Sequence, residues 1–222
     1  GEMIQLDDLS MIFRAGRARK VVADRITATF PTGRAVALLG RNGAGKSTLL
    51  RIIAGTQDPT RGRVVSSGSI SWPVGFAGSF HPKLTGVQNT RFVARIYGAD
   101  TDALVRFVEE FAALGPHFRL PCGTYSAGMR SRLAFGVSMG MGFDTYLVDE
   151  VTSVGDAAFR AKSAEVFRAR MQKSGAIVVS HSMPQIRQLC DMGAVLEAGQ
   201  LHLYEDLEEA IAVHEANMAV AA

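Results

Sequence analysis

The sequence has only two cysteines and no long hydrophobic run. Cys122 and Cys190 are far apart among the 222 residues and match no metal-ligand spacing, so we expect free thiols in a reducing compartment. The longest nearly uncharged apolar stretch, Leu133 to Phe143, is well short of the ~20 residues that a membrane-spanning helix needs. No charged and apolar leader stands at the start of the sequence. We therefore expect a cytoplasmic protein that does not cross a membrane by itself.

Concentrated basic charge is also lacking. The formal net charge is +3, and the basic residues are spread along the chain except in the run Arg14, Arg17, Arg19 and Lys20. Since a nucleic-acid-binding face is usually more concentrated, we expect no nucleic-acid partner. For the basic run itself, a solvated loop between two early strands is favoured over an anion-binding role.

The order of strand and helix patterns predicts the fold class. An apolar fraction of 47% and the absence of repeats indicate one globular domain, or one core with an inserted subdomain. Because strands alternate with helices, we expect an α/β fold with a mainly parallel sheet. The core covers about 1–86 and 142–222, and a helical subdomain covers about 87–141. Predicted strands cover 3–9, 21–30, 35–39, 145–148, 176–180 and a hairpin at 194–203, and predicted helices follow Gly45 and cover 159–171 and 207–218.

A glycine-rich segment between a predicted strand and helix carries the strongest chemical signal. Gly40-Arg41-Asn42-Gly43-Ala44-Gly45-Lys46-Ser47 fits the pattern of Gly, four residues, Gly, Lys, then Ser or Thr. Its backbone N–H groups and the helix N-terminus would surround a β-phosphate, Lys46 would neutralise β- and γ-oxygens, and the Ser47 hydroxyl would hold Mg²⁺. A tight turn without a ligand would not require Lys and Ser at these positions. The expected nucleotide-binding residues here are Gly40, Asn42, Gly43, Ala44, Gly45, Lys46, Ser47 and Thr48.

Two further predicted strands end in polar residues. The apolar strand before Asp149 and Glu150 fits a Walker B segment, in which Asp149 reaches Mg²⁺ through water and Glu150 activates or positions the attacking water. Alone, such a pair is more often an exposed turn or a helix start. His181 follows the next strand, so the parallel sheet brings it to the same edge, where it would contact the γ-phosphate.

The segment Tyr125-Ser126-Ala127-Gly128-Met129 resembles the signature motif of the ABC ATPase family. The usual form is Leu-Ser-Gly-Gly-Gln, so Tyr125, Ala127 and Met129 depart from it. The resemblance implies a P-loop NTPase (RecA-like) core with an N-terminal antiparallel β subdomain and an inserted α-helical subdomain. It also implies that Ser126, Ala127 and Gly128 face the γ-phosphate of ATP bound by a second copy of the chain.

Other matches are weaker and cover nearly the whole chain. Phe13 sits where the family stacks an aromatic ring on adenine, although an isolated Phe is more often a core residue. Asp156 sits in the family's D-loop. The family's usual glutamine is missing from 71–86, and we expect Trp72, Phe76 and Phe80 to help line a groove for a helix of the membrane subunit instead.

The form of these motifs resembles exporters of capsular polysaccharide of the polysialic acid, or group 2, type. The resemblance implies a homodimeric ATP hydrolase with Mg²⁺, lying peripherally on the cytoplasmic face of the inner membrane. Its expected partners are a transmembrane permease dimer and, through the permease, periplasmic and outer-membrane export proteins; its cargo is a glycolipid-linked anionic polymer.

Three alternatives stay open from the sequence. An O-antigen or teichoic-acid exporter is one, although the sequence ends one helix beyond the core, without the separate carbohydrate-binding domain that some such exporters carry. A soluble ABC ATPase acting on nucleic acid or ribosomes would ordinarily have tandem halves, a coiled-coil insertion or a strongly basic surface. A P-loop kinase would account for Lys46, Ser47 and Asp149, but it gives no role to Glu150.

Overall fold

The computed structural model describes residues 3–74, 80–149 and 157–220. The chain divides into two compact units. The first contains Gly1–Pro73, Asp144–Val151 and Met171–Ala222, and the second contains Val74–Phe143 and Thr152–Arg170.

The first unit begins with a three-stranded antiparallel sheet. Strand β1 (Met3–Ala15) lies between β2 (Ala18–Pro31) and β4 (Arg61–Ser66), so the order is β2-β1-β4. The first two strands form a hairpin with a two-residue turn at Gly16 and Arg17, where Gly16 has a φ of 60°. This sheet is the N-terminal antiparallel part of the predicted fold.

A second, six-stranded sheet forms the centre of the first unit. Its order is β5-β6-β7-β3-β8-β9, and only β9 runs antiparallel to its neighbour. The mainly parallel α/β sheet predicted from the sequence is therefore confirmed. The strands are β3 (Ala35–Gly40), β5 (Ile70–Pro73), β6 (Thr145–Asp149), β7 (Gly175–Val179), β8 (Met192–Glu197) and β9 (Gln200–Tyr204).

The core of the first unit explains why these segments form this sheet. Every residue of β3 and β7 is buried, as is usual for parallel strands that are covered on both faces. Helix α1 (Lys46–Ala54) packs Leu49 and Ile53 into the same core as Leu38 of β3 and Leu147 of β6. Burial of each such side chain contributes about 1.5–3 kcal/mol. This packing fixes α1 directly after the carboxyl end of β3.

Two more helices complete the first unit. Helix α6 (Met183–Leu189) follows β7, and α7 (Leu207–Val220) follows β9. Gly193 of β8 lets α7 approach the sheet closely, because a Cβ on this glycine would lie only 2.4 Å from Ala210 Cβ.

The second unit is helical. Its helices are α2 (Gly86–Tyr97), α3 (Thr101–Ala112), α4 (Ala127–Met141) and α5 (Ala157–Met171), with 3₁₀ turns at Gly115–Arg119 and Cys122–Thr124. Thr85 and Gln88 form a capping box at the start of α2, and Asp100 caps α3. Helix α3 packs on α4 at Gly140, where a Cβ would lie 2.5 Å from Leu104 Cδ1. None of the helices in the described ranges is long and apolar enough to cross a membrane.

One local interpretation of the sequence was wrong, and two elements were not predicted. The basic run is not a loop: Arg14, Arg19 and Lys20 lie on the strands of the β1–β2 hairpin, and only Arg17 lies in its turn. Strand β4 was not predicted, because it is a short edge strand with few apolar residues. Helix α6 was also not predicted, because its seven residues are too few for a clear period.

Candidate functional site

The glycine-rich loop joins the buried end of β3 to the start of α1. Gly43 and Gly45 have φ values of 81° and 106°, which side chains other than glycine rarely adopt. A Cβ on Gly45 would also lie 2.1 Å from Val22 Cγ1, so no larger residue fits there. The Ala44 N–H donates a hydrogen bond of 3.0 Å to the Arg41 carbonyl and closes the turn. The loop therefore presents backbone N–H groups at the positive end of α1, which is an anion-binding geometry.

Lys46 begins α1 and its ammonium bends back over the loop. Its Nζ donates a hydrogen bond of 2.6 Å to the Gly40 carbonyl at the end of β3. This contact holds a positive charge against the loop. An ammonium and several N–H donors on one loop are suited to bind a phosphate chain.

The phosphate loop lines a cavity of about 420 Å³. Nine of its lining residues are among the site residues predicted from the sequence, and Lys20, Val22 and Val179 were not predicted. Gly40 and Ala44, which were also predicted, belong to the loop but do not line the cavity. The predicted residues that line it are Phe13, Asn42, Gly43, Gly45, Lys46, Ser47, Thr48, Asp149 and His181.

The parallel sheet explains why Asp149 and His181 reach this cavity. Asp149 is the last residue of β6 and pairs with Val179, the last residue of β7. His181 follows two residues later, and β3 lies on the other side of β7. Carboxyl ends of neighbouring parallel strands meet at one edge, which is where α/β proteins bind ligands. Glu150, the predicted general base, lies outside the described residues.

Oxygen ligands suitable for Mg²⁺ lie on the same cavity. Ser47, which carries a hydroxyl, and Asp149, which carries a carboxylate, are both among its lining residues. Mg²⁺ prefers one or two protein oxygen ligands together with substrate phosphates, so this pair fits such an ion when nucleotide is bound. Among the described residues there is no cluster of three or more His, Cys, Asp or Glu that could hold a metal by itself.

Phe13 and Lys20 form the rim of the cavity. They face each other as a cross-strand pair in the β1–β2 hairpin, and the Phe13 ring is 39% exposed. The Lys20 Nζ lies 3.7 Å from the position that a Cβ would occupy on Gly43. An exposed ring beside a cation offers a flat apolar surface and an anion contact at one entrance. Lys20 was missed because its run was interpreted as solvated surface; its pairing with Phe13 is the signal that a correct hairpin register would have given.

Ser126 caps helix α4 in the second unit. Its Oγ accepts a hydrogen bond of 3.2 Å from the Met129 N–H, and its carbonyl accepts one of 3.0 Å from the Arg130 N–H. Ser126 and Ala127 are exposed, and Gly128 is half-buried. The positive end of α4 is therefore open to solvent and free of bulky side chains, which suits an approaching anion.

Tyr125 anchors the start of this motif where the family usually has leucine. Its ring is buried, and its hydroxyl donates a hydrogen bond of 2.5 Å to the His117 carbonyl. Burial raises the pKa of Tyr125 to about 12, with a smaller effect from the Cys122 thiol. The Arg130 guanidinium donates to the Tyr125 carbonyl at 2.8 Å, so both side chain and backbone of Tyr125 are held.

Other predicted residues are not brought together by the described part of the chain. Asp156 and Phe76 lie outside it. Trp72 is half-buried on β5 in the first unit, and Phe80 is half-buried at the start of the described part of the second unit. Both cysteines are buried free thiols.

Comparisons with known proteins identify the family. Residues 23–153 match the family described as ABC transporter. The chain is 47% identical to the polysialic acid transport ATP-binding protein KpsT of Escherichia coli, over 97% of this chain and 100% of that protein. It is 43% identical to the capsule polysaccharide export ATP-binding protein CtrD of Neisseria meningitidis serogroup B, over 94% of this chain and 96% of that protein.

A solved structure shares the fold. It is a dimeric ATP-binding cassette in a post-hydrolysis state bound to ADP and Pi, with a TM-score of 0.76 and 19% sequence identity, covering 92% of this chain and 98% of that one. The family resemblance predicted from the motifs is thus confirmed: the chain belongs to the ABC transporter family and is one of its ATP-binding proteins.

Proposed function

We propose that this chain is the ATP-hydrolysing subunit of an exporter of capsular polysaccharide. One observation carries the proposal: residues of a loop with the full phosphate-binding pattern line a cavity together with Asp149 and His181, in a chain that is 47% identical to a polysialic acid transport protein over nearly its whole length. The cargo is an anionic, glycolipid-linked polymer, and the chain works at the cytoplasmic face of the inner membrane.

ATP binds with its phosphates on the loop. The N–H groups of residues 42–48 and the Lys46 ammonium surround the β- and γ-phosphates, while the exposed ring of Phe13 stacks on adenine at the rim. Lys20 faces the loop from the rim and adds a cation to the phosphate-binding surface. Ser47 and Asp149 would hold Mg²⁺, Ser47 directly and Asp149 through water, and the ion would neutralise phosphate charge.

Hydrolysis requires a group that activates water beside the γ-phosphate. In the sequence, Glu150 directly follows Asp149, the last residue of β6. In our proposal its carboxylate accepts the proton of the attacking water or orients that water. His181 lines the same cavity and contacts the γ-phosphate from the end of β7.

A second copy of the chain completes each site. The exposed N-terminus of α4, with Ser126, Ala127 and Gly128, faces the γ-phosphate bound by the other copy, and Asp156 lies at the contact between copies. The open cap geometry of Ser126 supports this role, since a helix N-terminus attracts anions only where it is accessible. Two ATP molecules are therefore buried between two chains.

In our proposal, closure of the two chains on ATP changes the conformation of a transmembrane permease dimer. We propose that Trp72, Phe76 and Phe80 help line the groove that accepts a permease helix, in place of the family's usual glutamine. Periplasmic and outer-membrane export proteins interact through the permease. Alanine at all three aromatic positions should uncouple ATP hydrolysis from export, and unchanged assembly and export would contradict this part of the proposal.

The experiment follows the fate of phosphate and polymer together. The chain is purified with its permease, given ATP labelled at the γ-phosphate, and compared with Lys46→Ala and with Arg34→Ala as a matched control. Arg34 precedes the opposite end of β3 and pairs with Asp191 at 2.9 Å, so this variant removes a cation from the same unit but away from the loop. We expect free labelled phosphate from the natural chain and the control and none from Lys46→Ala.

Export is measured in cells that lack the natural gene. Surface polysaccharide should return with the natural chain and the Arg34→Ala control, but not with Lys46→Ala. Labelled phosphate attached to an acceptor would indicate a kinase, and restored export by Lys46→Ala would contradict ATP-driven transport.

A further inference from the structure

The second residue of the phosphate loop, Arg41, is not among the lining residues of the nucleotide cavity. Its Nε donates to both carboxylate oxygens of Glu197, at 2.9 and 3.1 Å, and its Nη2 lies 2.8 Å from Glu197 Oε1. The same Nη2 donates a hydrogen bond of 2.5 Å to the carbonyl of Asn217. One guanidinium therefore connects the phosphate loop to the end of β8 and to α7.

The Asn217 carbonyl is a suitable acceptor because of its position in the helix. Among the described residues helix α7 covers Leu207–Val220, so Asn217 lies in its last turn, whose carbonyls point toward the C-terminal end. These carbonyls also carry the negative end of the helix dipole, which a cation stabilises. Arg41 thus caps the C-terminus of α7 with a planar, multi-donor group that is suited to several acceptors at once.

Helix α7 is itself firmly attached to the first unit. Leu207, Ala210 and Ile211 are buried, and Ala210 fits against Gly193 of β8. Arg187 of α6 pairs with Glu208 in the first turn of α7, with Nε and Oε1 2.8 Å apart. The helix is therefore fixed at both ends, by Arg187 at its start and by Arg41 near its C-terminus.

Arg41 contacts α7 through its side chain and shapes the loop through its backbone carbonyl. The Arg41 carbonyl accepts the hydrogen bond from the Ala44 N–H that closes the turn, so the residue's side chain and backbone tie α7 and the loop together. The side chains of Arg41 and Glu197 are only 30% and 29% exposed, which protects the pair from the screening that weakens surface ion pairs.

His214 shows that the end of α7 lies close to the phosphate-binding cations. Its Nδ1 is buried and has no hydrogen-bond partner among the described residues. Burial lowers the pKa of His214, the charges of Lys46 and Arg41 lower it further, and the carboxylates of Glu197 and Glu215 oppose them. The last turns of α7 therefore share their electrostatic surroundings with Lys46.

We infer that Arg41 is a positioning residue of the nucleotide site, which holds the phosphate loop against the C-terminal turns of α7 in the conformation that binds phosphate. The inference rests on the proposed function, because it assumes that the loop binds ATP. It adds that the C-terminal turns of α7, not the first turn that Arg187 holds, support the loop, and that nucleotide binding and the order of the helix end are coupled in both directions.

The test compares ATP affinity in full-length variants by isothermal titration calorimetry with Mg²⁺-ATP. Arg41→Ala should weaken binding on the order of tenfold, since it removes charge-assisted hydrogen bonds that support the loop. Arg41→Lys should have an intermediate affinity, because one ammonium lacks the fork that reaches both acceptors. Arg187→Ala is the matched control: it removes the other arginine that holds α7, and its affinity should equal that of the natural chain.

A second readout separates positioning from a loss of stability. In the natural chain, ATP should slow hydrogen exchange of backbone amides at 214–220, and in Arg41→Ala this protection should disappear. Glu197→Gln keeps an acceptor and the fold, and should weaken binding less than Arg41→Ala.

Several outcomes would overturn the inference. These are natural affinity in Arg41→Ala, an equal loss in Arg187→Ala, or ATP-induced protection at 214–220 that persists without Arg41. A natural chain that binds no ATP would instead refute the proposed function, so the two failures can be told apart.

Discussion

Replacement of Ser126 separates the structural role of this residue from its proposed role at a nucleotide. Ser126→Ala removes the oxygen that accepts a hydrogen bond of 3.2 Å from the Met129 N–H. Loss of such a cap lowers the free energy of unfolding by ~1 kcal/mol. For a chain of this size, the melting temperature should fall by about 2–4 °C.

Ser126→Asp keeps an oxygen at the cap and should retain nearly natural stability, because aspartate is also a favoured N-cap residue. In the proposed dimer it places a negative charge beside the γ-phosphate of the second copy. At ~4 Å and an effective dielectric constant of ~20, repulsion between two unit charges is about 4 kcal/mol. After allowance for screening, we expect the rate of ATP hydrolysis to fall at least ~100-fold.

The assay pairs thermal unfolding followed by circular dichroism with phosphate release in the presence of the permease. Ser126→Ala should lose stability, whereas Ser126→Asp should lose activity with its fold intact. Natural activity in Ser126→Asp would refute the idea that the N-terminus of α4 faces a phosphate. An unchanged melting temperature in Ser126→Ala would refute the contribution of the cap.

Three further predictions concern other residues. Gly86→Ala would place a Cβ 2.7 Å from Tyr125 Oη, so urea unfolding should show a loss of about 1–3 kcal/mol; an unchanged midpoint would contradict this contact. The pKa of His214 is lowered mainly by burial, so its contribution to stability is present above pH 6.5 and is lost as the pH falls below it. Melting temperatures at pH 5–7.5 should therefore depend less on pH in His214→Gln, and identical pH profiles would argue against this. Burial raises the pKa of Cys190 to about 12, so iodoacetamide at pH 8 should modify it far more slowly in the native chain than in urea; equal rates would contradict its burial.

Much of the fold was predictable because its signals are local. The buried strand before Gly40, the glycine-rich loop and the periodic helix after Lys46 follow one another within about twenty residues, and each obeys a simple rule. Strand β4 was not predicted because it is an exposed edge strand. In such a strand, pairing with β1 rather than residue type decides the structure. The only sequence signals for helix α6 are at its start, namely the Ser182 cap and Pro184 in the first turn.

The candidate site also contains residues that the sequence predicted and residues that it did not. The residues that follow β3, β6 and β7 were predicted to meet, since a parallel sheet brings strand ends to one edge. The position of Lys20 at the cavity depends on its cross-strand pairing with Phe13. Because the basic run was interpreted as a loop, this pairing was not predicted. The contact of Arg41 with Asn217 joins positions 176 residues apart. Because it depends on how α7 packs on β8, no local sequence pattern predicts it.

The most direct test of ATP binding between two copies uses Glu150→Gln. The mass of this variant in solution is measured by light scattering without nucleotide and with Mg²⁺-ATP, alongside phosphate release. The account predicts a mass of 23.8 kDa without nucleotide, twice that value with ATP, and no phosphate release. A variant that stays at 23.8 kDa with ATP, or that hydrolyses ATP at the natural rate, would contradict it.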